Sequence, residues 1–202
     1  MHKPPYDQRL ARLLVRPLAR TPVTPNQITA VTLLLALGAA YLFAQGGARA
    51  ANWGAGLFVL ARFLDHFDGE LARLTDRKSR FGYYFDCFTG GVSYAALFAG
   101  IGFGLSSGPL GDWALALGAA GAASAIISLF VNLDIDKQMK MSDGATKGYP
   151  RFAGFELEDG IYLIAPITWL GWLSPFFVLC GIGATLYCLW SAWSLIRLRA
   201  GV

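Results

Sequence analysis

Apolar residues in this chain run in long blocks rather than alternating with polar ones. The blocks are Ile28–Ala44, Asn52–Leu64, Gly82–Leu105, Asp112–Leu133, Gly160–Leu173 and Pro175–Ile196. A helix needs about 20 apolar residues to cross the hydrocarbon of a bilayer. The second block is short unless it continues through Ala72, which places its carboxylates at the membrane edge or just inside it. The fifth and sixth are separated only by Ser174-Pro175, read here as a tight turn. The pattern predicts an all-α integral membrane bundle of six transmembrane helices. Ahead of it, Tyr6–Leu18 reads as a basic amphipathic surface helix, with Leu10, Leu13, Leu14 and Val15 dipping into lipid and Arg9, Arg12 and Arg16 facing headgroups. The plainer alternative is a basic anchor with no further role. The expected organisation is a surface segment over residues 1–23 and one membrane domain over 24–202.

Composition agrees with this reading. The chain is 55% hydrophobic and 15% charged, whereas a soluble domain carries about a quarter charged residues. The N-terminal stretch MHKPPYDQRLARLLVRPLAR is polar and basic, so no cleavable signal peptide is expected. Cys87, Cys180 and Cys188 lie in apolar blocks without metal-site spacing and read as small buried hydrophobes.

Charge placement gives an expected orientation. Segments on the cytoplasmic side of a membrane are enriched in Lys and Arg. With the N-terminus cytoplasmic, six spans place four segments on that side: the N-terminus, the loop near 73–80, the loop near 134–152 and the C-terminus. Of 17 basic residues, only Arg49 falls outside these segments, apart from Arg62 within a helix. A multi-pass membrane protein is expected (in the cytoplasmic membrane if bacterial), with both termini facing the cytoplasm. The net charge of +4 then belongs to one face. It suits membrane lipids and an anionic substrate, and nucleic acid is excluded as a partner.

The chemistry concentrates in LDHFDGELARLTDRKSRFGYYFDCFTGG, Leu64 to Gly91. On a helix, Asp65, Asp68, Gly69 and Ala72 share a face. Gly82, Asp86 and Gly90 share a face of the next helix. The short loop between makes the two helices expected antiparallel neighbours, so that Asp65, Asp68 and Asp86 converge. Three carboxylates at a membrane edge suit a hard divalent cation, which prefers oxygen ligands and leaves positions open for phosphate oxygens. Arg73, Arg77, Lys78 and Arg80 ring the same mouth and suit a phosphorylated substrate. The plainer alternative is that these aspartates cap helix ends and pair with arginines, yet ionisable groups at membrane depth more often mark function.

The run from Asp65 through Asp68, Gly69, Ala72 and Arg73, then eight residues, then Gly82 and Asp86, resembles the signature of the CDP-alcohol phosphotransferases, D-x-x-D-G-x-x-A-R-x8-G-x-x-x-D-x-x-x-D. TPNQIT at Thr24–Thr29 resembles the Pro-Asn that opens the first membrane helix in many members, with Thr24 as its cap and Pro25 in its first turn. The resemblance implies an integral membrane enzyme, commonly a homodimer, with its site open to the cytoplasm. Such enzymes move a phospho-alcohol group from a CDP-linked donor to a hydroxyl acceptor, at least one of them a lipid, and release CMP. By this likeness Asp65, Asp68 and Asp86 hold Mg²⁺ (or Mn²⁺), Gly69 and Ala72 make room for the CDP moiety, Arg73 lies near it, and Gly82 lets the second helix approach.

One position departs from the pattern. The fourth aspartate of the signature, generally taken as the base that deprotonates the acceptor, is Gly90 here. A general base contributes on the order of 10²–10⁴-fold in rate. Glu156, Glu158 and Asp159, His66, and Asp76 are other titratable groups near this end, none an obvious replacement. Three functions follow as expectations: an active phosphotransferase, a degenerate relative that binds a CDP-linked ligand with little turnover, and, least favoured for want of an inverted repeat, a transporter or channel.

Overall fold

The computed structural model describes residues 6–142, 151–152 and 155–200, with side chains described over 11–138 and 160–200. It is helical throughout apart from one strand pair of two residues each. The helices are α1 (Tyr6–Val15), α2 (Pro25–Ala44), α3 (Ala48–Leu74), α4 (Arg80–Leu105), α5 (Asp112–Ser142), α6 (Ile164–Trp169) and α7 (Leu173–Ala200). β1 (Arg151–Phe152) pairs antiparallel with β2 (Phe155–Glu156).

Local chemistry sets the helix starts. Thr24 opens α2 with a capping box: its hydroxyl accepts from the Gln27 N–H at 3.3 Å, and the Gln27 side chain accepts from the Thr24 N–H at 2.9 Å. Pro25 follows at the first helical position, where its missing N–H costs nothing. Ser79 caps α4 by accepting from the Gly82 N–H at 2.9 Å. Between α2 and α3 the chain reverses at Gly46 and Gly47, with φ of 69° and 76°, a region that residues with a Cβ avoid.

The length of α3 answers the question left by its block. It runs 27 residues, about 40 Å at 1.5 Å per residue. The helix therefore continues past the carboxylates, but α3, expected as the second span, is not among the described helices that are apolar enough to cross a membrane.

Among the described residues, α2, α4, α5 and α7 are long and apolar enough to cross a membrane. The fifth expected span, Gly160–Leu173, takes a different form. A 3-10 helix over Leu157–Leu163 feeds the six-residue α6. At about 2.0 and 1.5 Å per residue these rise about 23 Å, short of a hydrocarbon core of about 30 Å. The expected turn at Ser174-Pro175 is also displaced. The chain turns at Gly171, φ 81°, and Ser174 and Pro175 sit in the first turn of α7, where proline is tolerated. Contacts along their lengths show that α5 and α7 run parallel: Gly181 lies against Leu117 early in both, the Asn132 amide donates to the Tyr187 hydroxyl at 3.1 Å, and Arg199 in the last turn of α7 pairs with Asp134 further along α5. The chain therefore returns along the bundle between them, and α6 ends that return. There the Trp169 indole N–H donates to the Asn52 carbonyl at the start of α3, at 3.1 Å.

The core is built from aromatics and small residues. Phe43, Phe58 and Phe177 are fully buried among alanines of α2 and α3. Away from the chemistry the helices pack backbone against backbone. A Cβ on Gly100 or Gly104 would run into the carbonyl oxygens of Ala40 or Phe43. The surface helix is only partly as expected. Leu13 and Leu14 are exposed, but Val15 and Ala11 are buried against Phe67 and Leu71 of α3. Val15 therefore faces protein rather than lipid, because α1 docks on the back of the turn that carries Asp68. The Leu10 and Arg9 side chains lie outside the described ones. The cysteines are buried or half-buried and free.

Candidate functional site

The expectation that α3 and α4 pack as neighbours needs correction. They are antiparallel and touch through side chains such as Phe58 against Tyr94, but α3 packs chiefly against α2, and α4 against α5 and α2. A cleft of about 240 Å³ opens between them at one end of the bundle, floored by the first turn of α2 at Pro25, Asn26 and Thr29. The separation has a physical cause: the facing turns carry carboxylates, and like charges in a low dielectric resist closure unless a cation lies between them.

Asp65, Asp68 and Asp86 do converge. Each offers one carboxylate oxygen, and the three oxygens lie within 4.8 Å of one another. Ligands around an octahedral Mg²⁺ at 2.0–2.1 Å lie about 2.9–4.2 Å apart, so a small side-chain rotation brings this set to the span such an ion requires. Asp68 is only 5% exposed. The Thr29 hydroxyl of α2 donates to its Oδ2, which satisfies one oxygen and fixes the other. Asp68 and Asp86 line the cleft, whereas Asp65 does not. One turn deeper, Asp65 pairs with Arg62 of its own helix at 3.0 Å, with both side chains about one-eighth exposed. The Arg62 guanidinium also lies 5.2 Å from the ring centre of Tyr94 on α4, within cation–π range.

Gly69, Ala72, Arg73 and Gly82 all line the cleft, as do Arg77 and Lys78. The Arg73 guanidinium bonds Glu70 at 2.9 Å and passes about 3.5 Å from where a Cβ on Gly69 would sit. Gly82 earns its lack of a side chain: a Cβ there would lie 3.1 Å from both the Asn26 amide oxygen and the Ser79 hydroxyl. Gly90 is different, because a Cβ there meets nothing within 4 Å.

Of the substitute bases named from the sequence, neither His66 nor Asp76 lines the cleft. The His66 ring Nδ1–H donates to the Arg62 carbonyl at 3.0 Å, back along its own helix. Asp76 sits in the α3–α4 turn with φ 54°, a left-handed conformation aspartate tolerates. The side chains of Glu156, Glu158 and Asp159 lie outside the described ones. Thr29, Arg62, Tyr83 and Asp136 received no site role from the sequence. Tyr83 lines the cleft, and its hydroxyl donates to Asp136 of α5 at 2.7 Å. A larger cavity, about 500 Å³, lies among α4, α5, α6 and α7. None of the described residues that line it is charged, which leaves it unsuited to a diphosphate.

Comparison with known proteins agrees with this geometry. The chain is 34% identical over 102 residues to an archaetidylinositol phosphate synthase of Pyrococcus horikoshii, a match covering 50% of this chain and 52% of that protein. It is 44% identical over 63 residues to a CDP-diacylglycerol–glycerol-3-phosphate 3-phosphatidyltransferase of Cereibacter sphaeroides, covering 31% and 28%. The aligned stretches thus span about half or less of these relatives. In three dimensions the chain resembles the phosphatidylinositol phosphate synthase of Mycobacterium tuberculosis, solved with CDP-DAG bound, with a TM-score of 0.59 and 20% identity over 93% of this chain and 94% of that one; this likeness shows a shared fold. The family model for CDP-alcohol phosphatidyltransferases matches residues 22–196, the stretch that carries both the α2 cap and the carboxylate cleft, and the chain therefore belongs to the CDP-alcohol phosphatidyltransferase family.

Proposed function

We propose that this membrane protein transfers a phospho-alcohol group from a CDP-linked lipid donor to the hydroxyl of a small polar acceptor, with release of CMP. The observation that carries this reading is the convergence of Asp65, Asp68 and Asp86 beside a cleft whose basic wall is Arg73, Arg77 and Lys78. The donor class is supported by the named activities of the relatives, and by the CDP-DAG bound to the structural neighbour.

Asp65, Asp68 and Asp86 would hold Mg²⁺ (or Mn²⁺). When bound, such an ion supplies charge neutralisation at the diphosphate and makes CMP a better leaving group. Thr29 keeps Asp68 oriented. Gly69 and Ala72 leave space for the nucleotide, and Arg77 and Lys78 attract its phosphates. The acceptor oxygen bonds to the phosphorus of the transferred group as the bond to CMP breaks, and the acceptor proton must leave. Gly90 offers no proton acceptor. This favours a slow enzyme, or the second reading, a relative that binds the donor with little turnover.

The positive-inside pattern supports a cytoplasmic cleft with both termini on that side, and a surface role for residues 1–23. A homodimer fits the family. The test is CMP release by purified protein from CDP-diacylglycerol and from small CDP-alcohols, with glycerol 3-phosphate and inositol phosphate among the acceptors, with and without Mg²⁺. Metal-dependent CMP release is expected. Metal-dependent CDP binding with no CMP from any pair moves the protein to the second reading.

A further inference from the structure

Arg62 is a cation placed inside the carboxylate cluster. It lies one turn deeper than Asp65 on α3, nearly buried, and holds Asp65 at 3.0 Å. Across the gap it faces Tyr94 of α4. Asp86, Gly90 and Tyr94 recur every four residues and share a face of α4. Gly90 therefore lies between the level of the carboxylates and the level of the guanidinium. No side chain fills that position, and a Cβ there meets nothing.

The charges then sum in a specific way. Three carboxylates carry −3, Arg62 carries +1, and the balance of −2 matches one divalent ion. With no nucleotide bound, a second divalent ion would leave the cluster with net positive charge in a partly buried site, which is costly unless paired. Geometry points the same way. Asp65 turns from the cleft toward Arg62, and only Asp68 and Asp86 of the three line the cleft itself.

We infer that Arg62 serves as a built-in cation, occupying Asp65 so that the cleft takes a single divalent ion, held chiefly by Asp68 and Asp86. This rests on the metal reading of the carboxylate cluster proposed above. It assigns Arg62 a positioning role that acts through Asp65.

Mn²⁺ counting tests it without any turnover. The full chain, purified in detergent and stripped with chelator, is titrated with Mn²⁺ without nucleotide, and bound ion is counted by the loss of the free Mn²⁺ electron paramagnetic signal. The expected result is one Mn²⁺ per chain. Arg62→Met frees Asp65 and is expected to tighten Mn²⁺ binding about tenfold, since ligand charge tunes affinity, or to admit a second ion. Arg62→Lys restores a cation and is expected to return the count to one at near-native affinity. Two Mn²⁺ on the native chain overturns the inference and leaves the metal reading standing. An Arg62→Met protein with unchanged count and affinity also overturns it. Should Arg62→Met not fold, the native count and the Arg62→Lys count decide. No Mn²⁺ on the native chain removes the metal reading and this inference together.

Discussion

The two ends of α4 use glycine for opposite purposes. At the far end, Gly100 and Gly104 are pressed against the backbone of α2, so tightly that a single methyl group would collide with carbonyl oxygens. At the cleft end, Gly90 faces open space, and α3 stands off from α4 across carboxylates. Close packing of small residues is how helices associate where lipid removes the hydrophobic drive. The far end is therefore the clamp, and it lets the near end remain open. A bundle that closed uniformly along its length would leave no room for a nucleotide.

The comparison breaks most visibly at the clamp. Gly104→Val should cost at least about 3 kcal/mol, or prevent folding, because backbone cannot move aside as a side chain can. Thermal unfolding and monodispersity in detergent would show this, and a stable, native-like Gly104→Val protein would contradict it. Asp68→Asn should leave the fold intact and lower Mg²⁺-dependent CMP release by at least about 100-fold, the loss expected when a metal site is weakened. Gly90→Asp should fold normally and raise CMP release by about 10²-fold where proton abstraction limits the rate. A slower or misfolded Gly90→Asp protein would mean that the open position serves to admit ligand instead. Tyr83→Phe should have the smallest effect, about 1 kcal/mol of stability from one lost hydrogen bond between α4 and α5.

How far the sequence carried can be judged from particular residues. The starts of α2 and α4 are written locally, in Thr24-Pro25-Asn26-Gln27 and in Ser79, because a cap depends only on its own first turn. The carboxylate set was legible because helical spacing places Asp65 with Asp68 and Asp86 with Gly90. The sixfold pattern was less so. Gly160–Leu173 has the hydropathy of a span, but 3-10 geometry and the turn at Gly171 shorten its helix, and hydropathy does not register helix type. The gap between α3 and α4 was hidden for another reason. A short loop argues for packed neighbours, and only the positions of three helices together show α2 lying against both. Thr29 and Arg62 were missed alike: each acts through a partner whose place depends on helix rotation, which no local pattern encodes.

The central claim is that the open end of α4 is a metal-dependent site for a CDP-linked lipid. Retention of CDP-diacylglycerol by the detergent-purified chain tests it directly, with and without Mg²⁺, in the native protein and in Asp65→Asn, Asp68→Asn and Asp86→Asn. Retention should require the ion and fall several-fold or more in Asp68→Asn and Asp86→Asn, and by less in Asp65→Asn. Equal retention without the ion and in all three variants would contradict the claim and leave the aspartates as ordinary helix-end charges.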